Sequence, residues 1–380
     1  MLMVVHAFPP QFSGIGDYTA HLGGALARLG VRVAAVAERA PGLAERAAAG
    51  GVQVWRLAPG WGLPAVRQLC RLAGEQGPGS VVNLQYPGFG RSPWATLMPL
   101  AIRANCPRAR VVVTLHEFRA QRRRWRLRAW PLLLAAHGVI LVDAPDRNAL
   151  RPYLAGRRLP VTCIPMASTI VPVPVRDGER AAWQAELGFG AAGPIITHFG
   201  DINPEKGFLE LARTVEDLRR DGVPLRFLVL GRLPVPSAAA AYRRAVERFL
   251  AGGQQEGWVR HRDRLDPHDV SRFLHASQIA AFPYPRGARS NRTSLLAAVE
   301  HGLAVLTTTG IDTPPGLTER LGVVAVPSHD RQAFKASLRE LATVPLQREE
   351  ACRRARAGGC LSWETVARRT LSFCRALEER

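Results

Sequence analysis

The sequence predicts an α/β chain made of two consecutive doubly wound domains, and three features carry that reading. Short apolar runs alternate with helical spacings along the whole chain, the pattern of a parallel sheet covered on both faces. The alternation breaks once, over residues 172–193, where Pro and Gly punctuate a single short helix and mark a linker. At 380 residues and 47% hydrophobic content the chain has enough apolar material for two cores.

Taken in order, Met3-Val4-Val5 reads as the first strand. Residues 18–29 carry apolar side chains at helical spacing and stop at Gly30, and residues 31–36 return as a strand. Residues 81–84, 110–115 and 138–142 are further short apolar runs with helical patterns between several of them. Beyond the linker the plan repeats: Ile195-Ile196 and residues 227–231, 278–282, 303–306 and 323–326 read as strands with helices between. Right-handed crossovers then give each half its own parallel sheet. The expected domains are residues 1–185, residues 186–362 and a last helix over 363–380. Two Rossmann-like domains of this kind are expected to face across a cleft lined by the carboxyl ends of their strands, where ligands of such sheets gather.

Composition narrows the function classes. The opening MLMVVHAFPPQ has a short apolar run with no basic segment before it and reads as a buried strand rather than a signal peptide. No apolar run approaches the roughly 20 residues needed to span a bilayer. Six cysteines form no C-x-x-C pair and no His/Cys cluster, which argues against structural zinc and for a reducing compartment, so the cytoplasm is expected. The formal net charge is +20. Its densest source is RAQRRRWRLR, residues 119–128, with Trp125 inside it and Trp130 just beyond. A basic, Trp-bearing segment suits nucleic acid or an anionic membrane surface, and the alternative is a solvated helix face; the resemblance described below implies peripheral attachment at the inner leaflet. Nucleic acid is not among the expected partners.

Four places can carry chemistry. The first is HFGDINPEKGF, residues 198–208, a strand end, a turn holding Gly200 and Lys206, and a helix start. Such a turn sets a phosphate at unpaired helix N–H groups. Lys206 is one of only two lysines, Lys206 and Lys335, in a chain whose cations are otherwise arginine, so a compact ammonium at this turn points to a phosphate ligand. The second is Ser13-Gly14-Ile15-Gly16-Asp17-Tyr18, where Gly14 and Gly16 permit close approach of a ligand; a plain tight turn is the alternative, since the third Gly of a dinucleotide fingerprint is missing. The third is Thr114-Leu115-His116, a strand that delivers His116 to its carboxyl end to orient a sugar hydroxyl or a phosphate. The fourth is residues 284–302. There Ser290, Asn291, Thr293 and Ser294 offer caps, while Arg286, Arg289 and Arg292 crowd a helix start that already favours anions. Arginine grips a diphosphate in two-pronged fashion, and Arg292, closest to the helix, is expected to point inward.

Together these residues resemble a family 4-like glycosyltransferase of the bacterial group 1 type, with the GT-B fold, over nearly the whole chain. The family's GGxGxY-type opening is matched by residues 13–18, its T-x-H strand end by Thr114-Leu115-His116, and its I-P by Ile164-Pro165. Its G-R-L-x-x-x-K-G turn is matched by residues 200–207, its L-L-E-A-M-A-x-G-x-P-V helix by residues 295–305, and its closing S-W-E by Ser362-Trp363-Glu364. In that family the final helix crosses back to the N-terminal domain. Two departures stand out: the family's glutamates, spaced E-x7-E, fall on Arg289 and Ala297, and the turn's arginine falls on Asp201.

The resemblance implies a retaining, metal-independent transferase that moves a sugar from a nucleoside diphosphate donor to a glycan, lipid-linked or small-molecule acceptor, with no cofactor beyond the donor. His116, Lys206 and Arg292 are the expected catalytic residues. Gly14, Gly16, Gly200, Asn291, Thr293, Ser294 and Glu300 are expected to bind the donor, Glu300 taking over the ribose from the missing glutamate. The rival readings are a catalytically weak nucleotide-sugar-binding protein of the same fold and, ranked below it, a nicotinamide-dependent oxidoreductase.

Overall fold

The computed structural model describes residues 1–379 apart from 12, 58–59, 78, 88–92, 120, 122, 155 and 235–239. The chain forms two units, Met1–Thr169 with Leu361–Arg380, and Ile170–Cys360.

Unit 1 runs β1 Leu2–Val4, α1 Gly14–Arg28, β2 Ala34–Glu38, β3 Arg46–Ala49, β4 Val52–Leu57, α2 Leu63–Glu75, β5 Val81–Tyr86, α3 Pro93–Asn105, β6 Arg110–Leu115, α4 Arg123–Ala135, β7 Gly138–Leu141, α5 Asp146–Leu154 and β8 Val161–Cys163. The strands form one sheet in the order β3-β4-β2-β1-β5-β6-β7-β8. β1 is central, with Leu2 paired in parallel to Ala34 on one side and Val82 on the other. Alternate residues of the central strands, Leu2 and Val4, Val82 and Leu84, Val111 and Val113, enter one core with Leu69, Met98, Ile102, Leu132 and Leu150 from α2–α5. The edge departs from the all-parallel expectation, because β3 joins β4 antiparallel. Its sequence, RAAA, is short and exposed along its length, so no apolar run betrays it.

Unit 2 runs α6 Glu179–Glu186, β9 Ile195–Phe199, α7 Phe208–Arg220, β10 Arg226–Leu230, α8 Ala240–Gln255, β11 Val259–Arg262, α9 Pro267–Ala276, β12 Ile279–Phe282, α10 Thr293–Glu300, β13 Ala304–Thr309, α11 Leu317–Leu321, β14 Val324–Pro327, α12 Arg331–Thr343 and α13 Pro345–Ala357. Its sheet has the order β11-β10-β9-β12-β13-β14, and among the described residues its neighbouring strands all pair in parallel. The sequence boundary at 185/186 splits α6, whereas the structure keeps it whole in unit 2. Trp183 is buried there, and Gln184 Nε2 donates to Ala276 O of α9 at 2.8 Å.

The chain then returns to unit 1 as α14, Trp363–Glu378. Ser362 caps it by accepting from Thr365 N at 3.1 Å. Trp363 Nε1 donates to Ser168 O at 2.6 Å, and its ring stacks on His21 of α1 at 5.2 Å between centroids. Gly138 leaves room for this helix: a Cβ there would lie 2.7 Å from Leu377 and 2.9 Å from Phe373. No helix among the described residues is long and apolar enough to cross a membrane.

Candidate functional site

In unit 2 the strand order reverses at β9, which has β10 on one side and β12 on the other. The segments leaving β9 and β12 diverge at the carboxyl end of the sheet, the place where doubly wound sheets take ligands. Two turns meet there.

The first turn is residues 200–207. Gly200 has φ +120°, and a Cβ on it would stand 2.5 Å from Ser294 Oγ and 3.9 Å from Lys206 Nζ. Glycine is therefore what lets the end of β9 touch the start of α10. Asn203 caps the short 3-10 turn Pro204–Lys206, its side-chain oxygen accepting from Lys206 N–H at 3.0 Å. Gly207 has φ +70°, and a Cβ there would stand 2.0 Å from Pro283 O, so the turn is clamped to the loop leaving β12. Both contacts hold the backbone of Lys206, and its ammonium lies 5.8 Å from the centre of the Tyr284 ring.

The second turn is residues 283–292. Tyr284 is fully buried and stacks on Phe282 with ring centroids 5.8 Å apart. Burial pushes its phenol far above the ordinary tyrosine range, so it stays neutral. Arg292 is 9% exposed, and its guanidinium carbon lies 5.0 Å from the same ring's centre. Two cations thus rest against one aromatic ring, each at cation–π distance. Arg292 is also the N-cap residue of α10, and no side chain caps that helix. The first turn of a helix presents backbone N–H groups that favour an anion, and here that turn lies beside Ser294 Oγ and Lys206. Thr293 and Asn291 are half-buried at the same helix start, and Arg289 is buried one turn before it.

Other sequence candidates stand apart from this cluster. Arg286 makes a two-pronged ion pair with Asp312, at 2.9 and 3.0 Å, so its charge is already committed. Asp201, where the family has arginine, holds Arg232 in the same manner at 3.0 and 3.3 Å. Glu300 also stands apart from the helix start. It is exposed at the far end of α10, where its charge adds to burial in pushing the Cys360 thiol up. At 1.5 Å per residue it lies about 10 Å down the helix from Thr293. A step of three residues from Ala297 moves a carboxylate away from the turn, so the structure does not bring Glu300 to the helix start. His198, beneath the turn on β9, is fully buried. Desolvation, aided by the charge of Lys206, holds its pKa down to about 3.

In unit 1 the carboxyl ends of β1, β5 and β6 carry the other candidates. His116 is buried, with Nε2 2.8 Å from Gln85 Oε1 and its ring edge-on to Tyr18 at 4.7 Å. Burial lowers its pKa to about 3. The ring is neutral near pH 7, so it suits a hydroxyl and brings no charge to a phosphate. Ser13 caps α1 by accepting from Gly16 N–H at 3.2 Å. The two glycines have different reasons. A Cβ on Gly16 would meet Ala7 O at 2.5 Å, whereas one on Gly14 would meet nothing within 4 Å. Gly16 is thus a packing glycine, and only Gly14 faces open space. Asp17 was missed as a candidate: burial raises its pKa to about 6, a desolvation effect with no trace in sequence.

Asp146, at the start of α5, anchors the beginning of the basic run, accepting from Phe118 N–H at 2.9 Å and Arg119 N–H at 2.8 Å. Arg122 lies outside the described residues, as do the side chains of Arg123, Arg124 and Trp125. Among the described residues, the cluster that could hold a metal ion is Asp266, His268 and Asp269, at the start of α9. Its Asp266 carboxylate already caps that helix through Asp269 N–H at 2.9 Å.

Residues 193–343 match the sequence family described as Glycosyl transferases group 1. No curated protein sequence matches the chain. Among solved structures it is similar to sucrose-phosphate synthase from Thermosynechococcus elongatus, at 18% identity and a TM-score of 0.73, covering 99% of this chain and 98% of that one. The catalytic domain of starch synthase IV from Arabidopsis thaliana, bound to ADP and acarbose, is similar at 15% identity and a TM-score of 0.74, covering 100% and 99%. HepE from Anabaena, in complex with UDP and glucose, is similar at 13% identity and a TM-score of 0.74, covering 99% of each chain. The fold is the GT-B fold, and unit 2 carries the group 1 glycosyltransferase signature.

Proposed function

We propose that this protein is a retaining glycosyltransferase that moves a sugar from a nucleoside diphosphate to a glycan, lipid-linked or small-molecule acceptor recognised by unit 1. One observation carries the reading: Gly200, Lys206, Arg292 and Ser294 converge on the uncapped start of α10, at the strand reversal of unit 2. That is a place for a diphosphate. Lys206 and Arg292 supply positive charge, and the α10 amides and Ser294 Oγ supply hydrogen bonds. The family signature over residues 193–343 supports the same donor class.

The chemistry follows from what this cluster does best. The bond between the anomeric carbon and the phosphate oxygen breaks, and negative charge grows on the departing diphosphate. Cations and amides fixed beforehand at that spot stabilise the charge without needing to reorganise. A phosphate oxygen takes the acceptor's hydroxyl proton, and the new glycosidic bond forms on the face the leaving group has left. No protein nucleophile is required, and the side-chain cations take the part a metal would otherwise play. His116, neutral and fixed by Gln85, would orient a sugar hydroxyl. The work is assigned to the cytoplasm, where nucleotide sugars are made.

The test is kinetic. Lys206→Ala and Arg292→Ala should each lower kcat/KM by roughly 10²-fold, the order lost with one oxyanion-stabilising donor. Arg286→Ala should cost far less, since that guanidinium is held by Asp312. Near-normal turnover in both variants rejects the diphosphate site. Tight nucleotide binding with no turnover on any donor and acceptor would favour the second reading, a nucleotide-sugar-binding protein, which the replacement of both family glutamates by Arg289 and Ala297 motivates.

A further inference from the structure

We infer that unit 1 docks on an anionic lipid bilayer through the outer faces of α3 and α4. Ten large apolar side chains are exposed among the described residues, and six of them lie on these two helices. They are Trp94 (44%), Leu97 (42%) and Leu100 (44%) on α3, and Leu127 (63%), Trp130 (49%) and Leu134 (38%) on α4. Spacings of three and four gather each set into one stripe. The helices pack side by side, and Arg103 Nη1 donates to Ala135 O at 3.4 Å, tying the end of one to the end of the other. Their opposite faces are already satisfied, with Met98, Ile102, Leu132 and Leu133 buried in the unit 1 core. A surface helix needs one apolar face; these have two.

The occupant follows from charge. Residues 91–135 contain ten arginines and a single acidic residue, Glu117. Arg103, Arg108 and Arg128 are exposed. A second copy of this chain would bring the same arginines against themselves, which disfavours a symmetric pair of these faces. An anionic bilayer offers phosphates to the guanidinium groups and a headgroup boundary suited to Trp and Leu. Arginine can also lay its stem along apolar surface while its head reaches a phosphate. The arginines alone would give attachment that salt abolishes. The apolar stripes add a part that salt leaves intact, and this goes beyond the transferase reading, since it needs no turnover.

The full chain is to be sedimented with phosphatidylcholine vesicles, with and without phosphatidylglycerol. Binding to the anionic vesicles is expected to fall with salt yet persist near 1 M, where the screening length is about 3 Å. Leu127→Ser/Leu134→Ser should lower the partition coefficient about tenfold or more, as should Trp94→Ser/Leu97→Ser on the neighbouring helix. Unchanged melting and unchanged UDP affinity would show that both variants are folded. Brominated lipids should quench wild-type tryptophan fluorescence, and less so in Trp130→Phe. The proposal is overturned by equal partitioning of wild type and both stripe variants, by complete release in high salt, or by a wild type that ignores anionic vesicles and instead forms dimers through this face.

Discussion

Gly200→Ala is the sharpest test of the geometry in unit 2. Two costs combine. A non-glycine residue at φ +120° is strained by about 1–3 kcal/mol. The new methyl would start 2.5 Å from Ser294 Oγ, well inside contact distance, and relieving such overpacking costs about 1–3 kcal/mol more. The sum, about 2–6 kcal/mol, is a large part of a domain's margin. Functionally, the turn must retreat from α10 and take Lys206 with it, and a shift near 1 Å costs on the order of 10² in rate. Calorimetric titration with UDP and ADP, beside a thermal melt, reads both effects. Two controls separate them. Gly200→Ala/Ser294→Ala removes the contact and should recover the overpacking share, leaving the φ strain. Gly14→Ala, whose methyl would meet nothing within 4 Å, should stay within about 0.5 kcal/mol of wild type. A Gly200→Ala protein with wild-type melting and nucleotide affinity would refute the argued contact between the β9 turn and α10.

Three further outcomes follow from the same structure. Glu300→Gln should leave UDP affinity unchanged in a calorimetric titration, because the side chain is exposed at the far end of α10; a tenfold loss would return the ribose role to it. Buried His116 and His198, both held near pKa 3, bind fewer protons folded than unfolded between about pH 3 and 6.5. Stability therefore rises with pH through that window and drains on acidification, each ring adding about 1.4 kcal/mol per pH unit at full effect. The melting temperature should drop from pH 7 to pH 5, more gently in His198→Gln, and a flat profile would contradict the burial. Asp17 has the opposite sign. Its pKa is raised to about 6, so the folded state binds more protons than the unfolded state below that pH, and the charged form is least welcome above it. Asp17→Asn should raise the melting temperature at pH 7, with the gain gone by about pH 4; a loss at pH 7 would mean that the carboxylate is held by an ionic partner.

What could be read without coordinates sorts by range. Buried parallel strands announce themselves as apolar runs, so β5, β6, β9 and β12 were legible, as was each turn that follows a strand and precedes a helix. The site turns were legible for the same reason, since Gly200, Lys206 and Thr293 occupy the ends of such runs. The RAAA edge strand was not, because an exposed strand with no alternation has no local signature. The partners of charges were equally hidden. Arg286 and Arg292 are six residues apart and look interchangeable in sequence, yet Asp312 claims the first, while the second lies on Tyr284. The shape of α4 was half legible: its arginines were plain, but exposure of Leu127 and Trp130 depends on which face the core takes.

The same partner logic explains how a cation-rich chain can keep one focused anion site. With a net charge of +20, long-range attraction would gather phosphates over much of the surface and select no point. Selection comes from where the cations sit and what lies beside them. Arg232 and Arg286, both near the turns, are each held in two-pronged geometry by Asp201 and Asp312. Arg292 and Lys206 instead border a buried aromatic ring, where low polarity strengthens any charge–charge contact that forms. The helix amides of α10 add direction that a point charge lacks. Asp201→Ala would release Arg232 from its fork; the expected consequence is weaker discrimination between nucleoside diphosphates and other polyphosphates in competition binding, with affinity for UDP itself little changed. Undiminished discrimination would show that the helix start and the two ring-bordering cations suffice without the neighbouring ion pairs.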